Sequence, residues 1–436
     1  MAVIIGVRRE DKNQWERRAP LTPAHVAHLT RDLGMVVYVQ PSDLRVFPDD
    51  AYRQAGAVLT EDISGCPVIL GIKEIPLHHF EEGKTYLFFS HTIKGQPYNM
   101  PILRCMMEKG CRLIDYEKIT DDQGRRLVLF GRHAGLAGMM ESLHAVGARL
   151  AAEGLSDSQN PFGTLKHAYQ YKDLQEARES LHEIGRKIVS NGLPEVISPL
   201  VVGFLGYGNV SRGAQELLDS LPVEQLSPHD LLARNRSALS RKTLFKVVFE
   251  EKDTVEAIGG TGFSLEDYLK NPERYGAVFS KFLPHLSILI NGVYWDERFP
   301  VIVGAEDLRA LYSSAEPPSL RVIGDITCDI EGSIEVTRKS TPPEAPCYVY
   351  DTRADTIEDG VSNLNGPVIM AVDNLPTEFP VESSSAFGDA LIPFLPAIAA
   401  NDFSENTGAI PGPIRRAIIL DGGKLTKSFR YLEKHL

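Results

Sequence analysis

The sequence predicts an α/β protein made of two parallel-sheet domains with a ligand cleft between them. Three observations carry that prediction. Short β-branched runs alternate with helical patterns through the first 130 residues, the βαβ rhythm of a parallel sheet. The same rhythm restarts after residue 200, around a glycine-rich strand-turn-helix segment, VVGFLGYGNVSRGAQELLDSL (201–221). A chain of 436 residues is also long for a single hydrophobic core, so two domains are expected.

The elements follow in order. Residues 3–7 read as a strand, and Thr22-Pro23 opens a helix through Leu33 with proline in its first turn. Further strands are expected at 36–39, 67–71, 86–89 and 113–115, with 127–130 closing the unit. A long helix rich in small residues spans 135–153, a polar loop 154–172, and an amphipathic helix 174–188. In the segment 201–221 an apolar run feeds Gly206 and Gly208, and the next helix turns Leu217, Leu218 and Leu221 inward. Glycines there let the backbone come close to a pyrophosphate, at which the first-turn amides of the helix then point. The third position of G-x-G-x-x-G is Ser211. Strands at 247–250, 288–291, 322–325 and 368–372 follow, with helices at 266–275, 306–311 and 387–400. This ordering describes two Rossmann-like domains with parallel sheets and an interdomain cleft, the dinucleotide domain inserted into a discontinuous substrate domain. The expected boundaries are 1–132 for the first part of the substrate domain, 133–332 for the dinucleotide-binding domain, and 333–436 for the return.

Composition narrows the function. The formal charge is −12, and no basic stretch interleaved with aromatics occurs, which argues against nucleic acid. No apolar run approaches the ~18–20 residues of a membrane span. The start, MAVIIGVRREDKNQWERR, has apolar residues before charge, the reverse of a secretory signal. Five cysteines (Cys66, Cys105, Cys111, Cys328, Cys347) form no CxxC pair, so a reducing, cytoplasmic setting is expected. His78 and His79 are adjacent, but neither HExxH nor Cys/His ligand spacing is present, and no metal is expected.

Ionisable groups collect where strands of the first domain end. Lys73 follows VILGI, His91 follows YLFFS, Glu117 follows LIDY, Arg126 precedes LVLF, and Arg17 and Arg18 lie after the first strand. Taken singly, each is more simply a solvated or structural side chain; their convergence on one sheet edge argues for a site. Histidine titrates near neutrality, and a desolvated lysine among cations is brought toward working range. Arginine holds carboxylates with its fork. Together they suit a substrate with carboxylates and a carbonyl.

The segments WERRAPLTP (15–23), LGIKEIP (70–76), SHTIKGQ (90–96), LIDYEK (113–118), RRLVLFGRHAGLAG (125–138), GYGNVSRGAQ (206–215), INGVYWD (290–296), GDITCDIEGSIE (324–335) and VDNLP (372–376) occur in the order of one family. The chain resembles, over almost its whole length, the lysine–2-oxoglutarate reductase half of aminoadipic semialdehyde synthases, within the alanine dehydrogenase and saccharopine dehydrogenase superfamily. The resemblance implies acid–base roles for Lys73 and His91, and substrate-carboxylate roles for Arg18 and Arg126. Lys94 and Asp325 are implied to line the cleft near the nicotinamide, and Glu16, Glu74 and Glu117 to hold a substrate ammonium or tune the lysine. Gly203, Gly206, Gly208, Asn209, Val210 and Ser211 match the pyrophosphate turn. The implied reaction condenses lysine with 2-oxoglutarate and reduces the imine to saccharopine. With no room for a second, saccharopine-cleaving half, a free-standing reductase is expected. A separate saccharopine dehydrogenase partner and a homo-oligomer are left open.

For the cofactor, the residue ending the second strand after the glycines should meet the adenosine ribose. In LPVEQLSPHDLL (221–232), Glu224 falls inside that strand and Ser227 near its end, with Arg234 and Arg236 beyond. NADPH is therefore expected, as in the resembled reductase, with NADH the alternative if Asp230 ends a longer strand. Competing readings are an NAD-dependent, lysine-forming saccharopine dehydrogenase, an alanine dehydrogenase, and a catalytically silent binding protein of the same fold. Arg132, His133 and Glu331 depart from the family pattern.

Overall fold

The computed structural model describes residues 3–260, 262–314, 317–401 and 410–436. The strands of its first half are β1 (Ile4–Val7), β2 (Val36–Val39), β3 (Val58–Leu59), β4 (Val68–Leu70), β5 (Thr85–Phe88), β6 (Arg112–Asp115), β7 (Val201–Leu205) and β8 (Val223–Leu226). Those of the second half are β9 (Leu244–Phe249), β10 (Val255–Ala257), β11 (Tyr275–Ala277), β12 (Ile288–Asn291), β13 (Val322–Asp325), β14 (Cys347–Asp351), β15 (Thr356–Asp359), β16 (Val368–Met370), β17 (Ile418–Asp421) and β18 (Lys424–Leu425). The chain divides into two compact units, 1–130 with 380–436, and 131–379.

In the first unit an eight-stranded sheet runs β18-β17-β6-β5-β4-β1-β2-β3. β1 to β6 are parallel, while β17 adds to β6, and β18 to β17, in antiparallel fashion. β1, β4 and β5 are almost wholly buried, as strands covered on both faces must be. From β1 the chain builds outward to β2 and β3, then returns to place β4 on the other side. The carboxyl ends of β1 and β4 therefore flank a topological switch point, where open α/β sheets bind ligands. Thr22 caps the first helix, its hydroxyl accepting from His25 N.

The second unit holds a mixed sheet ordered β15-β14-β16-β13-β12-β7-β9-β8. Its switch point lies between β7 and β12, which are parallel and in register from Val202↔Ile288 to Leu205↔Asn291. The helix Asn209–Leu218 leaves the glycine turn and packs on the long helix Gly131–Ala152. Glycine makes that crossing close: a Cβ on Gly135 would run into the Val210 carbonyl, and one on Gly213 into the Arg132 carbonyl.

Several expectations change. No strand forms at 127–130; a lone bridge joins Thr120 to Arg126, and Phe130 stacks on Phe387 at 4.7 Å. The return to the first unit comes at 380 rather than 333. The segment between continues the second sheet, β16 pairing with β13 in parallel and β14 with β16 antiparallel. The helix expected at 387–400 is two helices, Pro380–Leu391 and Leu395–Ala400, separated at Pro393, which cannot donate to a helical carbonyl. The helix expected at 266–275 ends at Lys270, and Tyr275 opens β11.

Candidate active site

The switch point of the first sheet gathers the titratable groups. Lys73 and Glu74 follow β4, Glu10 and Lys12 follow β1, and His91 follows β5. Glu74 sits at the centre: one carboxylate oxygen meets His91 Nδ1 at 2.6 Å and the other accepts from Lys12 Nζ at 2.9 Å. Burial opposes its ionisation, but the hydrogen bonds from His91 and Lys12 outweigh it and draw its pKa down to about 2. An anion fixed on Nδ1 orients the imidazole and leaves Nε2 for proton exchange. The His91 backbone adopts φ 52°, unusual for a residue with a side chain, and Asn99 Nδ2 donates to its carbonyl at 2.9 Å.

Lys73 is lowered to a pKa of about 8, first by burial and then by the nearby Arg18 and Lys12 cations. It can therefore gain or lose a proton near neutrality. Beneath it, the buried Glu10 carboxylate accepts from Ile72 N at 2.8 Å and Lys73 N at 3.0 Å. Burial lifts Glu10 to about 7 against the pull of Arg8. Glu10, Lys12 and Asn99 escaped the sequence reading. The signal for the first two was the charge-dense RREDK directly after the first strand; nothing in the sequence marked Asn99.

The expected substrate arginines are otherwise engaged. Arg18 is buried and grips Glu16 through both arms of its fork, at 2.7 and 2.6 Å, with its guanidinium over the Phe130 ring. The Arg18 cation lowers Lys73 while its Glu16 partner partly offsets it, and the pair does not present an open clamp. Arg126 is exposed and pairs with Glu117. Lys94 is exposed after the His91 turn. Asp325 lies in the other unit, at the end of β13, fully enclosed. It accepts from Asn291 Nδ2 (2.8 Å), Thr327 Oγ1 (2.9 Å), Cys328 N (3.2 Å) and Thr337 Oγ1 (2.6 Å). Four donors make it the brace of the loops after β12 and β13.

In the second unit the glycine turn divides its labour. Gly203 is inside β7, where a Cβ would press on Leu286 and Phe249, so it serves packing and stands apart from the turn. Gly206 has φ +85°, and a Cβ there would meet Val293 Cγ1 at 3.0 Å. A Cβ on Gly208, the N-cap of the helix Asn209–Leu218, would meet open space. Asn209, Val210 and Ser211 form the first helical turn, with free amides at a positive helix end. A glycine cradle at a switch point, open above a helix N-terminus, fits the pyrophosphate of a dinucleotide.

The strand on which the cofactor expectation rested, β8, is not the neighbour of β7. β8 is the sheet edge and pairs with β9 alone, whereas β9 lies beside β7. Ser227 and Asp230 bond each other in the cap of the helix Pro228–Ala233, and Arg236 is held by the Pro199 and Pro284 carbonyls and Ser319. β9, the neighbour of β7, runs on into Glu250 and Glu251.

The departures have local roles. Arg132 pairs with Glu216, binding the two crossed helices together. Glu331 holds φ 52°, a backbone glycine adopts without strain, and pairs with Arg338. His133 is buried.

Comparison with known proteins agrees with this picture. The alanine dehydrogenase/PNT N-terminal domain matches residues 6–137. The mouse mitochondrial alpha-aminoadipic semialdehyde synthase is 36% identical over 99% of this chain and 48% of its own length. The synthase of Arabidopsis thaliana is 37% identical over 99% of this chain and 41% of its own. The chain thus spans about half the length of the curated relatives it matches. Among solved structures, an L-alanine dehydrogenase superposes with a TM-score of 0.61 at 18% identity, covering 99% of this chain and 98% of its own, a likeness of fold. The cytoplasmic expectation does not stand, because the mouse relative is named mitochondrial. All five cysteines are free. Over nearly every residue this chain is similar to about half of the aminoadipic semialdehyde synthases, and its residues 6–137 match the alanine dehydrogenase/PNT N-terminal domain.

Proposed function

We propose that this chain joins the ε-amine of lysine to the ketone of 2-oxoglutarate and reduces the resulting imine to saccharopine. The observation that carries the proposal is the cluster at the first switch point: a lysine with a pKa of about 8 beside a histidine fixed by an anionic glutamate. Amine addition to a ketone and loss of water both need a group that gives and takes protons near neutrality. His91, oriented by Glu74, shuttles protons between the attacking amine and the departing hydroxyl. Lys73 protonates the ketone oxygen as it becomes hydroxyl and then water. Arg126 offers the more accessible guanidinium for an oxoacid carboxylate, which would replace Glu117 on its fork. Arg18 and Glu16 act from behind as a fixed pair that keeps Lys73 poised. Lys94 is a second candidate cation for the substrate, and Asp325 with Asn291 holds the loops after β12 and β13. A bound nicotinamide dinucleotide supplies the hydride, and Gly206, Gly208 and the amides of 209–211 would hold its pyrophosphate.

The test is oxidation of reduced nicotinamide with 2-oxoglutarate, with and without lysine, and a product mass equal to saccharopine. Lysine-dependent turnover with that mass is expected. Turnover with a different amine moves the substrate, and silence with both dinucleotides and every amine removes the proposal.

A further inference from the structure

We infer that the dinucleotide site of this chain selects NADH over NADPH, and that Glu250 and Glu251 make the selection. The inference rests on the reading of the glycine turn as a dinucleotide site. In such sheets the strand next to the glycine strand ends at the adenosine ribose, and a carboxylate there accepts from the 2′-hydroxyl. Here the neighbour of β7 is β9, in register from Val201↔Phe245 to Leu205↔Phe249. Gly206 N donates to Phe249 O at 3.1 Å, so the chain passes into Glu250 level with the glycine turn. The swap of β8 and β9 in the sheet explains why the carboxylates lie so far along the chain from the glycines.

Glu250 and Glu251 share one groove with Gly206, Tyr207, Gly208 and Val293. The Tyr207 hydroxyl reaches the Glu251 carboxylate at 3.3 Å. No lysine or arginine is among the described residues that line this groove. Lys252 pairs with Glu250 at 2.7 Å, and Arg298, next to Phe299 of the groove, grips Asp296 at 2.9 and 2.8 Å. Asp253, which caps the Glu250 amide at 2.9 Å, adds another negative charge. A 2′-phosphate carries about −1.5 to −2 charges at neutral pH and would face Glu251 and Asp253, with Lys252 already paired to Glu250. A 2′-hydroxyl instead donates to a carboxylate, a charge-assisted bond. The groove is thus favourable to one dinucleotide and repulsive to the other, the two halves of specificity.

The test is equilibrium titration of the full chain with NADH and with NADPH, followed by nicotinamide fluorescence in the absence of substrate. NADH is expected to bind at least about tenfold more tightly. The Glu250→Ser/Glu251→Arg double variant is expected to reverse that order, and the Glu250→Gln and Glu251→Gln variants to narrow it by raising NADPH affinity. Tighter or equal binding of NADPH by the wild-type chain overturns the inference while leaving the dinucleotide site in place. Binding of neither dinucleotide overturns the inference and the site reading together.

Discussion

Lys73, His91 and Glu74 are chemically useful only as a set. Glu74 is held ionised by His91 and Lys12, and that anion in turn limits how far burial and the Arg18 cation depress Lys73. Replacing Lys73 by Met, or His91 by Gln, is expected to reduce turnover by about 10²–10⁴-fold with an unchanged thermal transition. Steady-state kinetics beside a circular dichroism melt would check this, and wild-type turnover in both variants would remove the site assignment. Glu10 gives a prediction in pH. Its pKa rises on folding from 4.5 to about 7, chiefly through burial. A raised carboxylate contributes stability that is fully present below pH 4.5 and is lost as pH climbs through 7. The loss is worth about 3 kcal/mol at 1.36 kcal/mol per unit. Glu10→Gln, which keeps the neutral shape, is expected to flatten stability between pH 5 and 8. Urea midpoints across that range would measure it, and a slope equal to wild type would count against it.

At the scale of elements, pattern and packing parted company. β-branched runs made β1, β4, β12 and β13 legible, because strands buried on both faces carry continuous apolar stretches. β17 was not legible, since it joins the sheet through β6, some three hundred residues earlier, and β18 follows it as a local hairpin. The order of β8 and β9 was equally hidden, as strand neighbours depend on three-dimensional winding, and the cofactor expectation rested on β8. Lys73 and His91 were visible as strand-end residues, whereas the engagement of Arg18 by Glu16 is set only by the folded loop after β1. The third position of the motif is Ser211, and close approach is supplied by Gly135 and Gly213 on the two crossed helices. Each meets a backbone carbonyl, which cannot rotate aside as a side chain can. Gly135→Ala and Gly213→Ala are therefore each expected to destabilise the chain by about 1–3 kcal/mol or more. Differential scanning calorimetry would record this as a lowered transition, and an unchanged one would show that the helices separate freely.

At the scale of the whole molecule, the two units differ in how they are strung. Residues 131–379 are continuous and enclose their own sheet and helices, so every strand of that sheet is present in one stretch of chain. The first unit is assembled from two pieces: β17 completes the sheet beside β6, and Phe387 packs on Phe89, Tyr116 and Phe130. Continuity predicts autonomy. A fragment of 131–379 is expected to unfold cooperatively by itself and to retain dinucleotide binding, because its glycine turn and Glu250–Glu251 groove use residues of that stretch alone. A fragment of 1–130 leaves β6 unpaired on one side and the aromatic cluster without Phe387, and no cooperative transition is expected from it. Joining Phe130 to Pro380 through a short linker, which the 4.7 Å stacking of Phe130 on Phe387 makes sterically reasonable, should restore one. Thermal melts of the three proteins decide the matter. A cooperative 1–130 fragment would mean that the carboxyl-terminal strands decorate the sheet instead of completing it.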